Sequence, residues 1–146
     1  MENKEIDILL IEDNVNDAEL AIRALRKNNV AKRIVHLKDG EEALDFLFGN
    51  GQYTGRNIDN KPQVILLDLK MPKVSGLEVL EQIKFNELTK KIPVVMLTSS
   101  KEHPDIEKAY LLGANSYIVK PVDFENFIKV VNDLGIYWLL LSQPSI

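Results

Sequence analysis

The sequence contains no cysteine, which excludes both a disulfide framework and a metal site built on thiolates. It has no basic excess either: 18 Lys and Arg stand against 22 Asp and Glu, and a net charge of −4 does not favour nucleic-acid binding. No apolar run approaches the roughly 20 residues of a membrane span, and the two acids near the start do not fit a signal peptide. These features predict a cytoplasmic protein without nucleic-acid or membrane partners.

Five short apolar segments alternate with five amphipathic ones along the 146 residues. The apolar segments lie at 6–11, 33–37, 64–67, 92–98 and 116–119, and a helical pattern follows each of them. Alternation of this kind predicts one domain with a parallel sheet and helices on both faces. Among doubly wound sheets we expect the flavodoxin-like α/β fold, with five helices and strand order 2-1-3-4-5.

Two segments depart from this regular pattern. Residues 49–61 have three Gly, three Asn and little periodicity, so we expect a loose loop that is functional or mobile. The last helix begins after Asp123 and is expected to continue past Gly135, where Ile136, Leu139 and Leu140 would project to solvent. Such an apolar patch predicts a homodimer through the C-terminal helix. The alternative is that Gly135 breaks the helix and the tail folds back onto its own domain.

Four of the predicted strands end in polar residues. Glu12 and Asp13 follow the first strand, Asp68 the third, Thr98 the fourth and Lys120 the fifth. Each residue alone is explained by a helix cap, a strand-end hydroxyl or a solvated surface charge. The carboxyl ends of parallel strands meet at one edge of the sheet, however, so these side chains are expected to converge. Together they predict one functional site.

The residue types at this edge favour phosphoryl chemistry. Three carboxylates close together repel one another, and a divalent cation relieves that repulsion. Mg²⁺ suits the set because it takes oxygen ligands and works with one or two carboxylates plus a phosphate. Asp68 would then attack phosphorus and form an acyl phosphate. Lys120 would neutralise transferred charge opposite the metal, and Thr98 would donate a hydrogen bond to a phosphoryl oxygen.

The motifs that carry these residues are LLIEDN, LLDLKMPKVSG, LTSS and YIVKP, in that order. With them, the chain resembles the receiver domains of two-component response regulators over essentially its whole length. The resemblance implies a phosphoacceptor signalling domain and not an enzyme, in which a sensor histidine kinase phosphorylates Asp68. Phosphorylation would then switch a protein-binding face.

The resemblance also implies a role for each matching residue. Lys120 would contact the phosphate, and its bond to Pro121 would be cis, in keeping with the rule that cis bonds belong to proline. Thr98 and Tyr117 would form the conformational switch. Mg²⁺ would be held by Glu12, Asp13, Asp68 and the backbone carbonyl of Lys70.

Because no output domain is recognisable after the fifth helix, we expect a stand-alone receiver over residues 1–146. The long loop at 49–61 and the YWLLLSQP tail resemble a narrower group, the small receivers that partner bacterial phytochrome kinases. The sequence names neither the stimulus nor the downstream target.

Two other functions fit parts of the sequence. Metal-dependent phosphohydrolases of the aspartyl-phosphate type commonly carry a second Asp two residues after the nucleophile, where this chain has Lys70. A flavin-binding flavodoxin-like protein needs a phosphate loop rich in Ser, Thr and Gly after the first strand, where Glu12 and Asp13 would repel phosphate.

Three positions depart from the family pattern or leave a point open: Glu12 concerns the metal contact, and Lys70 and Ser100 concern the lifetime of the phosphoryl group. Glu12 is longer than the frequent Asp, so its metal contact would be direct or through water. Lys70 places a cation beside the phosphate, and Ser100 lacks a carboxylate that could orient an attacking water. His36 and His103 are expected at the surface or a strand edge, and not as ligands.

Overall fold

The computed structural model describes residues 6–27, 31–137 and 140. Within them, five strands form one parallel sheet in the order β2-β1-β3-β4-β5, which confirms the predicted topology. The strands are β1 (Ile8–Ile11), β2 (Ile34–Leu37), β3 (Val64–Asp68), β4 (Val94–Thr98) and β5 (Ser116–Val119). The helices are α1 (Val15–Leu25), α2 (Gly40–Phe48), α3 (Gly76–Phe85), α4 (Asp105–Leu111) and α5 (Phe124–Asp133).

The core lies on both faces of the sheet, which explains why the strands are apolar without alternation. On one face, Leu9 and Ile11 of β1 belong to a cluster with residues of α2, α3 and α4. On the other face, Ile8 and Leu10 belong to a cluster with residues of α1 and α5. None of the described helices is long and apolar enough to cross a membrane.

Polar caps fix where the helices begin after the strands. The side chains of Asn14, Asp39 and Asp123 each accept a hydrogen bond from a backbone N–H in the first turn of the helix that follows. Ser75 and Glu78 form a reciprocal capping box at the start of α3. Short, well-defined loops therefore lie at the carboxyl edge of the sheet, where the candidate site is expected.

The expectation of a loose loop at 49–61 is wrong, because this segment packs against α2. Gly51–Tyr53 form a short 3-10 helix. The Arg56 guanidinium lies 3.8 Å from the centre of the Phe46 ring and donates a hydrogen bond to the Phe46 carbonyl at 2.9 Å. The Tyr53 ring packs edge-on against Phe46, and its hydroxyl donates to Glu42 at 2.7 Å. These contacts hold the segment on the domain.

The expectation of one continuous C-terminal helix is also wrong. The helix α5 ends at Asp133, because Gly135 adopts a φ of 71°, which suits a residue without a side chain. The described residues that follow pack on the domain: Ile136 is half-buried, and Leu140 is only 3% exposed within the cluster of α1 and α5. Leu140 is therefore not part of the predicted apolar patch. For this residue, the alternative in which the tail packs on its own domain is correct. Trp138 and Leu139 lie outside the described residues.

Candidate functional site

The polar residues that end the strands lie at one edge of the sheet, as their sequence positions predict. Glu12 follows β1, Asp68 and Thr98 are the last residues of β3 and β4, and Lys120 follows β5. The register pairs Asp68 with Leu97 and Thr98 with Val119, so the ends of β3, β4 and β5 are level. The peptide bond between Lys120 and Pro121 is cis, as expected.

An acidic cluster forms the centre of this edge. Glu12, Asp13 and Asp68 each offer one carboxylate oxygen, and these oxygens all lie within 4.8 Å of one another. Glu12 and Asp68 are buried, whereas Asp13 is exposed to solvent. Hard oxygen donors at this spacing, with one side open to water, fit a Mg²⁺ ion that keeps several of its waters.

The electrostatics of Asp68 support this fit. Burial, a hydrogen bond with the Glu12 carboxyl group and the negative charge of Glu12 together raise the pKa of Asp68 to about 8. Two groups act in the opposite direction: the charge of Lys120, and the Lys70 N–H, which donates to Asp68 Oδ1 at 3.3 Å. Because the raising causes outweigh the lowering ones, the metal-free site holds more negative charge than its own cations neutralise.

Lys120 is shared among three carboxylates. Its Nζ lies 3.2 Å from Glu12 Oε1, 3.1 Å from Asp17 Oδ2 and 3.5 Å from Asp68 Oδ1. Burial lowers the pKa of Lys120, but the hydrogen bond to Asp17 and the charges of Asp68 and Glu12 outweigh it and place the pKa above its usual value. The ammonium group is therefore charged and already partnered.

Asp17 is a member of the site that the sequence analysis missed. It lies in the first turn of α1, and its backbone N–H donates to the side chain of Asn14 at 2.9 Å. Its position four residues after Asp13 places it in the helix that begins beside the acidic pair. That spacing was a signal in the sequence, but it does not specify a contact with Lys120.

Thr98 lines a cavity of about 210 Å³ together with Asp68, Lys120 and His103. Thr98 is 1% exposed. Its hydroxyl donates to the Ser100 carbonyl at 3.0 Å and accepts from the Ser100 N–H at 3.4 Å. The cavity is of a size for a small polar group beside the Asp68 carboxylate.

His36 is exposed in the edge strand β2, as expected, whereas His103 lies nearer to the site than the sequence suggested. His103 lines the cavity, and its Nδ1 accepts a hydrogen bond from the Asp105 N–H at 3.1 Å. In the neutral ring, this bond leaves the proton on Nε2. The Nε2 of His36 lies 2.9 Å from the Glu12 carbonyl oxygen. Both histidines therefore make contacts in the loops that surround the acidic cluster.

Two predicted site residues, Tyr117 and Lys70, do not contact the acidic cluster through their side chains in the described part of the chain. Tyr117 is not among the described residues that line the cavity; it is half-buried and packs edge-on against Tyr110 with ring centres 6.4 Å apart. Lys70 is exposed and contacts Asp68 through its backbone N–H. Tyr117 and Tyr110 connect β5 to the surface of α4, where Leu111 is 82% exposed.

Comparison with known proteins gives relatives of the same size and fold. FilR2 of Methanothrix harundinacea, a probable methanogenesis regulatory protein, is 44% identical over 132 residues, or 90% of this chain and 83% of FilR2. The response regulator Rcp1 of Synechocystis sp. is 37% identical over 132 residues, or 90% of this chain and 88% of Rcp1.

Solved structures include the bacteriophytochrome response regulator AtBRR, which is 49% identical with a TM-score of 0.83, covering 92% of this chain and 96% of AtBRR. The phosphorylated cyanobacterial phytochrome response regulator RcpA is 35% identical with a TM-score of 0.75. The match covers 98% of this chain and 100% of RcpA. The Mn²⁺-bound form of Rcp1 is 36% identical with a TM-score of 0.73. The match covers 92% of this chain and 94% of Rcp1.

The narrower resemblance to phytochrome-associated regulators is confirmed by these similarities. A family model described as the response regulator receiver domain matches residues 8–132, which include every predicted site residue. The chain therefore belongs to the receiver domain family of two-component response regulators.

Proposed function

We propose that Asp68 is the phosphoacceptor of this receiver and that its phosphorylation depends on Mg²⁺ bound at the acidic cluster. The observation that carries the proposal is the convergence of Asp68 with two other carboxylates and Lys120 at one edge of the sheet. Mg²⁺, when bound, supplies positive charge that neutralises phosphoryl oxygens. Support also comes from two relatives: Rcp1 has been solved with Mn²⁺, and RcpA in phosphorylated form.

The residues of this chain would act as follows. A carboxylate oxygen of Asp68 attacks phosphorus, and the bond between phosphorus and the kinase histidine nitrogen breaks. Lys120 moves from its shared carboxylates toward the new phosphoryl oxygens and neutralises their charge. Glu12, Asp13, Asp68 and the Lys70 carbonyl are the groups proposed to hold the metal.

The experiment is labelling with radioactive acetyl phosphate in the presence of Mg²⁺. We expect one phosphoryl group per chain, and loss of labelling in Asp68→Asn or in EDTA. Asp59→Asn is the matched control, since Asp59 is an exposed aspartate of the loop on α2. Retained labelling of Asp68→Asn, or full labelling in EDTA, refutes the assignment. Rapid multiple turnover would favour the phosphohydrolase alternative.

The proposed switch connects the cavity to the surface of α4 and β5. Thr98 would leave its bonds to Ser100 and donate to the phosphoryl group, and Tyr117 would move into the space that Thr98 vacates. Coupling of this kind is typically about 1–3 kcal/mol. Thr98→Ala should keep phosphorylation but lose the NMR shift changes around Tyr117. Equal shift changes around Tyr117 in the wild-type protein and in Thr98→Ala would contradict the switch.

We also propose that the phosphoryl donor is a sensor histidine kinase of the phytochrome type, because AtBRR and RcpA are described as phytochrome response regulators. Phosphotransfer profiling against a panel of purified kinases tests this choice. Preferential labelling by a kinase of another class would contradict it.

The homodimer through the C-terminal helix stays a prediction, but Leu140 cannot contribute to its interface while it is buried. Sedimentation velocity with and without a phosphoryl analogue measures the state directly. A monomer at high micromolar concentration in both conditions would contradict the dimer.

A further inference from the structure

A basic groove lies on the outer edge of β2, away from the phosphoacceptor site. It has a volume of about 430 Å³. Its apolar floor is formed by Ile34 and Val35 of the strand and Phe46 of α2. Ile34 packs with the cluster of α1 and α5, and Val35 with the opposite cluster, so the groove extends around the edge of the sheet.

Four cationic side chains line the groove: Arg26, Lys32, Arg33 and Arg56. Arg26, Lys32 and Arg33 are exposed. None of the four forms a salt bridge with a carboxylate of the described part of the chain. Four cations on one surface stand out in a protein whose net charge is −4; the buried Asp7 carboxylate beneath them accepts from the backbone N–H groups of Lys32 and Arg33, and not from their side chains.

The position of Arg56 distinguishes the groove from an ordinary solvated surface. Its guanidinium is fixed over the Phe46 ring and donates to the backbone carbonyls of Phe46 and Asn60. Burial lowers the pKa of Arg56, as expected for a partly desolvated cation. Exposed lysines also protect sheet edges against aggregation, which accounts for Lys32. That role does not account for an arginine held beside an apolar floor.

The backbone of β2 offers a second means of recognition. The Arg33 carbonyl accepts from the Asp7 N–H at 2.9 Å, and the Leu37 carbonyl from the Glu12 N–H at 3.1 Å. Since backbone groups of alternate residues face opposite edges of a strand, those of Ile34 and His36 point away from β1. As β2 is the first strand in the sheet order, they lie at the open edge.

We propose that this groove binds an extended acidic segment of a partner protein, which adds to β2 as a further strand. Backbone hydrogen bonds would give the alignment, the floor of Ile34 and Val35 would receive apolar side chains, and acidic side chains would meet the four cations. Lys32 and Arg33 precede β2, whereas Asp68 ends β3, so the cationic end of the groove lies at the opposite end of the strands from the phosphoacceptor site.

The probe is an acetylated and amidated heptapeptide that alternates glutamate and valine, titrated into the ¹⁵N-labelled full-length protein. We expect saturable binding with a Kd below about 1 mM, and the largest amide shifts at Ile34 and His36. Two further peptides carry proline at the central residue or at the residue next to it. N–H groups of alternate residues face β2, so at least one of these two peptides should fail to bind, because proline lacks the N–H that the strand must donate. A peptide with lysine in place of glutamate should not bind.

The double variant Lys32→Gln and Arg33→Gln should weaken peptide binding at least tenfold. Lys90→Gln with Lys91→Gln is the matched control, because it removes the same charge from two other exposed lysines. Equal weakening in both double variants, or no peptide binding at all, would overturn the proposal. Thermal unfolding of each variant shows that a loss of binding is not a loss of fold.

Other occupants give different results, and each would overturn the proposal. If both proline peptides bind as well as their parent, the site recognises charge without strand addition. If anionic vesicles of phosphatidylglycerol shift the same amides and the peptide does not, the occupant is a lipid surface. If peptide binding requires replacement of Glu2 and Glu5 by Gln, the occupant is the acidic start of this chain.

Discussion

The buried carboxylate of Asp68 should make the metal-free protein less stable than its Asp68→Asn variant at neutral pH. In the folded protein the pKa of Asp68 is raised from 3.8 to about 8. The folded state therefore holds this proton at pH values where the unfolded chain has released it. The contribution of Asp68 to stability falls as pH rises from about 3.8 to about 8, and this contribution is constant above that range. The asparagine variant lacks this dependence.

The size of the effect follows from the same shift. About three pH units separate 3.8 from pH 7, and each is worth about 1.4 kcal/mol. About 4 kcal/mol is thus an upper bound. Asp68 is coupled to the neighbouring Glu12 carboxyl group by a hydrogen bond, and the effective penalty of a buried charge falls below such a bound, so we expect the variant to be about 2 kcal/mol more stable at pH 7.

Urea unfolding in EDTA at pH 5 and pH 8 measures this difference. The advantage of Asp68→Asn should grow between the two pH values, whereas the exposed control Asp59→Asn should show no such growth. Mg²⁺ should stabilise the wild-type protein more than Asp68→Asn, since the variant loses a charged ligand. An Asp68→Asn advantage that is the same at pH 5 and pH 8 would refute the reasoning, as would a variant less stable than wild type at pH 8.

Three further predictions concern side chains around the site and the sheet. Asp17→Asn should release Lys120 from one competing carboxylate and lengthen the life of the acyl phosphate about two- to fivefold, measured as loss of radiolabel; an unchanged lifetime would contradict it. His103→Ala should cost about 1 kcal/mol by removing the acceptor for the Asp105 N–H, whereas His103→Asn should restore most of that loss in urea unfolding; equal stabilities would argue against the cap. Asp7→Ala should cost about 3 kcal/mol in the same assay, because this buried carboxylate accepts two backbone N–H groups at 2.8 and 3.0 Å; a cost under about 1 kcal/mol would be inconsistent with these bonds.

The sheet and the acidic cluster could be predicted because both depend on local sequence. Doubly covered strands need continuous apolar runs, and a carboxylate such as Asp68 at the end of such a run stands out against them. The order of the strands then follows from a small set of allowed topologies. Neither inference requires knowledge of which distant residues are in contact.

The errors depend on contacts between distant segments or on a backbone choice that Gly permits. The polar composition of the loop at 49–61 does not reveal that Arg56 packs on Phe46, ten residues earlier. Gly135 is compatible with a weakened helix or with a positive φ, and the apolar contacts of the following residues decide for the turn. Likewise, the contact between Asp17 and Lys120 joins residues 103 positions apart.

The ring of hydrogen bonds between Thr98 and Ser100 has a consequence for the sensitivity of the protein as a signalling device. With its hydroxyl already donating and accepting within its own loop, Thr98 would keep these partners through small fluctuations of charge nearby. A signal must offer a better acceptor than a backbone carbonyl before the hydroxyl changes partner, and a phosphoryl oxygen meets that condition. In the proposed switch, the loop after β4 would therefore set a threshold, and substitutions that loosen it would raise spontaneous output in the absence of any stimulus.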